Sequence, residues 1–185
     1  MGIQRPLKGS IRFHNEEIAG LPSWEIARRG IGLVPENRRL FADLTVEENL
    51  QVASKAIQKG YNLETAYADF PELKDLRQRQ ARQLSGGQQQ MLTIARTLMG
   101  NPQILLMDEP TEGLAPLVVK RTAEIVKRLI SRGYTLLITD QNIIFTLELA
   151  HQVYILDTGV IKWKGETALL RSNSAILEKY LSISV

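Results

Sequence analysis

The apolar and polar positions alternate with different periods along the chain. Near the start, Gly9-Ser10-Ile11-Arg12-Phe13 sets Ile11 and Phe13 against polar neighbours, the period of a half-buried strand. Leu21 to Arg29 then reads as a short helix stopped by Gly30, and Ile31-Gly32-Leu33-Val34 as a buried strand cut off by Pro35. From 37 to 84 the residues are polar and helix-forming, and no strand pattern is present. Thr45 followed by Glu47 and Glu48 opens a helix there, its positive end matched to the two carboxylates.

Beyond this stretch the pattern alternates as a parallel sheet requires. A helix from Gln88 to Met99 carries Met91, Ile94, Ala95 and Leu98 on one face and stops at Gly100-Asn101-Pro102. The strand Ile104 to Met107 is apolar throughout, as expected when both of its faces are covered. Pro116 suits the first turn of a helix that sets Val119, Ala123, Val126 and Ile130 on one side and ends at Gly133. Thr135 to Thr139 is the next strand, followed by a helix from about Asn142 to Ala150. Val153 to Leu156, turning at Asp157-Thr158-Gly159 into Val160 to Trp163, is a hairpin. The pattern predicts an α/β fold with a helical insertion, divided into a first core segment (1–36), a helical subdomain (37–84), a second core segment (85–165) and a helical C-terminal segment (166–185).

Composition narrows the class. A chain of 185 residues that is 44% hydrophobic can bury a core and is not read as disordered. The net charge of +3 is mild and the basic residues are scattered, with short clusters at Arg28-Arg29 and Arg38-Arg39, which argues for a solvated face near an acidic partner or anionic lipid and against nucleic acid. Cysteine is absent, which removes disulfides and thiolate metal sites. No apolar run approaches the roughly 18 residues of a membrane span. A soluble protein, or one held at a membrane through a partner, is expected.

Two constellations carry chemistry. Ser85-Gly86-Gly87 stands just before the predicted helix, where two glycines let backbone N–H groups approach an anion, a hydroxyl adds a donor and the helix end adds partial positive charge. Taken alone, such a tripeptide is as well explained by a helix cap and a turn. Asp108 ends a buried strand, so its carboxylate belongs at the sheet rim where ligands bind; there it can hold Mg²⁺, and Glu109 beside it can polarise a water for phosphoryl transfer. On its own, Asp-Glu-Pro would read as a cap and an exposed acid. No Gly-Lys dipeptide occurs, so the phosphate-cradling G-x-x-x-x-G-K-[ST] loop is not among these residues.

Taken together, LSGGQQQ at 84–90 and the Asp108-Glu109 strand resemble the ATP-binding-cassette family over nearly the whole chain. The stretches 34–41 (VPENRRLF), 44–50 (LTVEENL), 108–116 (DEPTEGLAP) and 140–142 (DQN) resemble most the ATP-binding subunits of branched-chain amino-acid importers, and next those of urea and short-amide importers. The resemblance implies a nucleotide-binding domain of the P-loop type with a helical subdomain, an ATPase using ATP and Mg²⁺. Ser85, Gly86, Gly87 and Gln88 would reach across a head-to-tail homodimer or heterodimer to the γ-phosphate on the other subunit. Asp108 would be the metal-holding aspartate and Glu109 the catalytic carboxylate. Glu36 stands at the position of the glutamine that touches metal and water, and Gln141 at that of the switch histidine; a glutamine can orient water but cannot become cationic. Gly113, Leu114 and Ala115 would form the D-loop, with Ala115 where an aspartate is usual. The segment Glu36 to Asn49 would receive a helix of a transmembrane permease, placing the chain at the cytoplasmic face of the membrane in a system that includes a solute-binding protein.

The family's phosphate loop and adenine-stacking aromatic would lie before the position of Met1, with a central strand whose absence leaves unpaired backbone and apolar faces. Three readings follow: a shortened form of an ATPase subunit that powers import, a non-catalytic subunit lending its signature motif to a partner's ATP, and a non-transport relative, disfavoured because the insertions of those branches are absent.

Overall fold

The computed structural model describes residues 1–54 and 60–181. A small hairpin, β1 (Arg12–Phe13) and β2 (Glu16–Glu17), leads into α1 (Ser23–Arg28) and β3 (Ile31–Val34). The helical subdomain holds α2 (Val46–Val52), α3 (Leu63–Asp69), α4 (Pro71–Asp75) and a 3-10 turn at Ala81–Gln83. Then come α5 (Gly86–Met99), β4 (Ile104–Asp108), α6 (Pro116–Ser131), β5 (Thr135–Thr139) and α7 (Ile143–Leu149). The hairpin β6 (Gln152–Asp157) and β7 (Val160–Glu166) precedes α8 (Thr167–Arg171) and α9 (Ser174–Leu181).

Strands β3, β4 and β5 form a parallel sheet in that order, with Val34 beside Met107 and Asp108 beside Thr139. Parallel neighbours need helical crossovers: the subdomain and α5 supply the first, α6 the second. Because the strands run the same way, their C-terminal ends meet at one rim, which brings Glu36, Asp108-Glu109 and Asp140-Gln141 together from three separate stretches of sequence.

One continuous core joins the sheet to the subdomain. Leu92, Ile94, Ala95 and Leu98 of α5, Val46 and Leu50 of α2, Phe70, Leu73, Leu105 and Met107 are all buried within it. The predicted face of α6 is rotated slightly: Thr122, Ala123, Ile125, Val126 and Leu129 are buried, with Val119 and Ile130 only partly so. Subdomain and α6 are also tied electrostatically. Asp69, buried at the end of α3, accepts from Arg132 Nη1 at 2.6 Å and from the Tyr61 hydroxyl at 3.1 Å, while Arg121 reaches Glu72 at 2.7 Å. Burial, followed by the Asp69 charge and hydrogen bond, pushes the Tyr61 phenol far above its usual range.

Several expectations need correction. The first strand is only Arg12–Phe13; Ile11 is exposed, and its N–H is taken by the Glu17 carboxylate at 2.9 Å. The first predicted helix begins at Ser23, behind Pro22. Helix α5 begins at Gly86, so both glycines lie inside its first turn. Strand β4 is fully covered on one face only: Leu105 and Met107 are buried, while Ile104 and Leu106 pack partly against the small cluster of Ile18, Ile26 and Ile31. On β5 that second face is bare, with Leu137 55% exposed, and no strand pairs with its outer edge among the described residues. The hairpin expected from Val153 to Trp163 is present as β6–β7, which pairs with no other strand among the described residues. Its Ile155 packs with Leu170 and Leu177, which docks α9.

Candidate functional site at the sheet rim and the start of α5

The ends of β4 and β5 are stitched together by side chains. Thr139 Oγ1 donates to Asp108 Oδ1 at 2.6 Å, the Gln141 N–H donates to Glu109 Oε2 at 3.2 Å, and the Gln141 amide Nε2 reaches Glu109 Oε1 at 3.4 Å. Glu109 has φ +46°, in the left-handed region that a side chain rarely adopts, and its own N–H is bonded to Thr139 O at 2.8 Å. Strain of this kind is kept where surrounding bonds over-determine it, and it gathers at functional sites. Next along, Thr111 donates its N–H and its hydroxyl to Asp140. The sequence put Asp108 and Glu109 at this rim, and the family resemblance added Gln141; the bonds of Thr139 to Asp108 and of Thr111 to Asp140 became visible only when the sheet brought positions about thirty residues apart into register.

Glu36 joins the same rim beyond Pro35, against Glu112 rather than within the Asp108 bonds. A hydrogen bond to Glu36 and its charge raise the Glu112 carboxyl above the ordinary range, with smaller contributions from Glu109 and Asp140.

At the start of α5, Ser85 is the N-cap in a complete capping box: its Oγ accepts from Gln88 N at 3.3 Å and Gln88 Oε1 accepts from Ser85 N at 3.0 Å. Ser85 and Gly86 are exposed at the helix end, and no acidic residue stands in the first turn. The glycines have different neighbours. A Cβ on Gly87 would sit 2.9 Å from both methyls of Val118, so that glycine lets α5 pack against the first turn of α6. A Cβ on Gly86 would instead meet the Arg38 guanidinium at 3.4 Å.

Arg38 and Arg39 both have positive φ, at 61° and 42°. Their carbonyls are held by α5: Arg96 donates to Arg39 O at 2.8 Å and to Arg38 O at 3.3 Å, and Thr93 Oγ1 also reaches Arg38 O at 3.3 Å. Buried Asn49 shapes the rest of that loop, accepting from Phe41 N at 3.0 Å and donating to the carbonyls of Phe41, Leu44 and Thr45. The surface from Glu36 to Asn49 is thereby built directly onto α5. After β4, Gly113 has φ +65° with open space where a Cβ would lie, Leu114 N bonds Thr111 O at 3.2 Å, and Ala115 is the N-cap of α6 with no side-chain bond to give.

No group of three or more His, Cys, Asp or Glu side chains poised for a metal occurs among the described residues. Mg²⁺ commonly takes one or two carboxylates and completes its shell with water and substrate phosphates, and the oxygen donors Asp108 and Thr139 fit that chemistry. Among the described residues no helix is long and apolar enough to cross a membrane.

The chain is 40% identical over 183 residues to the high-affinity branched-chain amino acid transport ATP-binding protein BraG of Pseudomonas aeruginosa, covering 97% of this chain and 78% of that protein. It is 33% identical over 187 residues to the lipopolysaccharide export system ATP-binding protein LptB of Haemophilus influenzae, covering 98% and 77%. The structure of the ADP conformation of MJ1267, an ATP-binding cassette of an ABC transporter, superposes with a TM-score of 0.79 at 26% identity, covering 98% of this chain and 80% of that one. The family model for the ABC transporter domain matches residues 1–112, and with these relatives it establishes that the chain belongs to the ATP-binding-cassette family of transport ATPases.

Proposed function

We propose that this chain is the ATP-hydrolysing subunit of an importer that takes up branched-chain amino acids, driving a membrane-embedded permease from the cytoplasmic face. Uptake of urea or short amides is the neighbouring possibility within the same reading. The observation that carries it is the rim, where Glu109 is held by both the backbone and the side chain of Gln141 beside Asp108. The similarity to BraG supports the solute class over the exporter class of LptB through its higher identity.

In this reading Glu109 polarises the attacking water, and Gln141, neutral at every pH, orients that water and the terminal phosphate by hydrogen bonds. Ser85, Gly86, Gly87 and Gln88 offer N–H and hydroxyl donors to the γ-phosphate of ATP held by the opposing subunit of a homodimer or heterodimer. Asp108, with Glu36 on the same rim, would hold Mg²⁺, which would supply positive charge to neutralise the developing phosphate charge. The D-loop residues Gly113, Leu114 and Ala115 lie along the dimer seam, and Glu36 to Asn49 receives the permease. A solute-binding protein outside the membrane delivers the amino acid.

The test is made on the membrane complex purified from its native source with this chain in it. Glu109→Gln should lower ATP hydrolysis by about 100-fold or more and abolish ATP-driven leucine uptake into proteoliposomes. Unchanged hydrolysis would sink the catalytic assignment, and hydrolysis stimulated by other solutes but not by leucine, isoleucine or valine would sink the substrate class. A second reading rests on the complete signature cap at Ser85 and Gln88: the chain lends that cap to a partner's ATP. Under that reading Gly86→Trp, but not Glu109→Gln, lowers hydrolysis by the mixed pair.

A further inference from the structure

Between Thr139, which holds Asp108, and Gln141, which holds Glu109, the Asp140 side chain takes a different set of partners. Its Oδ2 accepts the Thr111 N–H at 3.1 Å, its two oxygens share the Thr111 hydroxyl at 2.8 Å, and Oδ1 accepts the Asn142 N–H at 2.7 Å. Thr111 is buried and 7% exposed. Bonds from N–H and O–H donors to an ionised carboxylate are about twice as strong as neutral ones, so one side chain fixes two loops.

The first loop is the turn leaving β4, in which Thr111 O accepts from Leu114 N before Ala115 opens α6. The second is the entry to α7. The bond from Asn142 N–H closes a turn around Gln141, and the Asn142 side chain caps α7 by accepting from Phe145 N at 3.1 Å. Gln141 is exposed and sits at the apex of that turn. Its position relative to Glu109 is set by the residues on either side, and Asp140 restrains both.

We infer that Asp140 is a positioning residue for hydrolysis, its carboxylate clamping the Thr111 turn to the Gln141 turn so that Gln141 and Glu109 stay in contact. The inference rests on the roles proposed above for Glu109 and Gln141. It needs no titration of Asp140, because the residue acts as a fixed acceptor of three donors. Asparagine there keeps one acceptor oxygen but presents an NH₂ to donors already in place. Alanine releases both loops. Glutamate keeps the charge at a longer reach and should restore part of the lost rate.

Steady-state ATP hydrolysis by the same native complex tests this. Asp140→Ala should lower kcat by about 10- to 100-fold while KM for ATP stays within about twofold, since misplacing a catalytic group by about 1 Å can cost 100-fold in rate. Asp140→Asn should fall between alanine and wild type. Thr111→Val should lower kcat in the same way, and the double variant with Asp140→Ala should be no slower than the slower single one, as two ends of one clamp require. In the isolated chain, Asp140→Asn should shift the ¹⁵N–¹H signals of Thr111 and Gln141 together. An unchanged kcat, a raised KM at constant kcat, or additive losses would each overturn the inference. Glu109→Gln in the same preparation separates the two failures: if it too is fully active, the reading of the site has failed, whereas an inactive Glu109→Gln beside a normal Asp140→Ala sinks the clamp alone. Should the alanine variant not assemble, the isosteric asparagine variant carries the test.

Discussion

Both faces of the parallel sheet carry leucines at their centre, and these meet different fates. On one, Leu105 and Met107 are essentially inaccessible beneath α5 and α6. On the other, Leu106 and Leu137 stand side by side in register, yet Leu106 is partly covered by the cluster around α1 while Leu137 is 55% exposed. An apolar strand therefore states what could be buried, and the element laid across it decides what is. Leu105→Ala should cost about 2–5 kcal/mol in urea unfolding of the isolated chain, whereas Leu137→Ala should stay within about 0.5 kcal/mol. Similar losses from both would break the comparison.

The same contrast holds for polar groups. Asn49 is fully buried and its amide satisfies four backbone groups of the loop it organises. Asn49→Ala strands the Phe41 N–H and should cost about 1–3 kcal/mol, with amide exchange accelerating from 41 to 45 before the sheet. Asp69→Ala comes next, at about 1–2 kcal/mol, because Arg132 is 45% exposed and can rehydrate once its partner is gone. Asp43→Ala removes the pair with Arg82, whose side chains are 81% and 60% exposed, and should change stability by less than about 0.5 kcal/mol.

Elements with a strong period were legible in the sequence. The helix bearing Met91, Ile94, Ala95 and Leu98, its start apart, the helix begun by Pro116, the three parallel strands and the helix opened by Thr45 stand where periodicity and turn residues put them. Local signals misled where a neighbour decides. Ile11 faces solvent just before a strand of two residues, and Ile104 and Leu106 of β4 are only partly covered by the small cluster of Ile18, Ile26 and Ile31. For the site, the sequence supplied residues whose chemistry is intrinsic: two adjacent carboxylates at a strand end, and a serine with two glycines at a helix start. It could not supply Asp140 with Thr111, or Arg38 against Gly86, since those pairs are made by strand register and by two consecutive left-handed residues. Gly87 is a mixed case, for its freedom serves the contact with Val118 as well as any approach to an anion.

A gain rather than a loss is expected at the start of α6, which contrasts with the start of α2. Thr45 caps α2 reciprocally with Glu48, while Ala115 leaves the first N–H groups of α6 with no side-chain acceptor and no acid in the first turn. Ala115 has the extended backbone of an N-cap, with φ −64° and ψ 149°, so a hydroxyl or carboxylate there can accept without rearrangement. Ala115→Ser should raise stability by about 0.5–1 kcal/mol. Ala115→Asp adds the favourable helix-end charge but also adds to the acidic rim of Glu36, Glu109 and Glu112, where a hydrogen bond to Glu36, and then its charge, hold the Glu112 carboxyl above its ordinary range. If that field dominates, the aspartate variant is less stable than the serine variant at low salt, and the gap narrows as salt shortens the Debye length. An aspartate variant that is the more stable at every ionic strength would show instead that the helix end outweighs the rim.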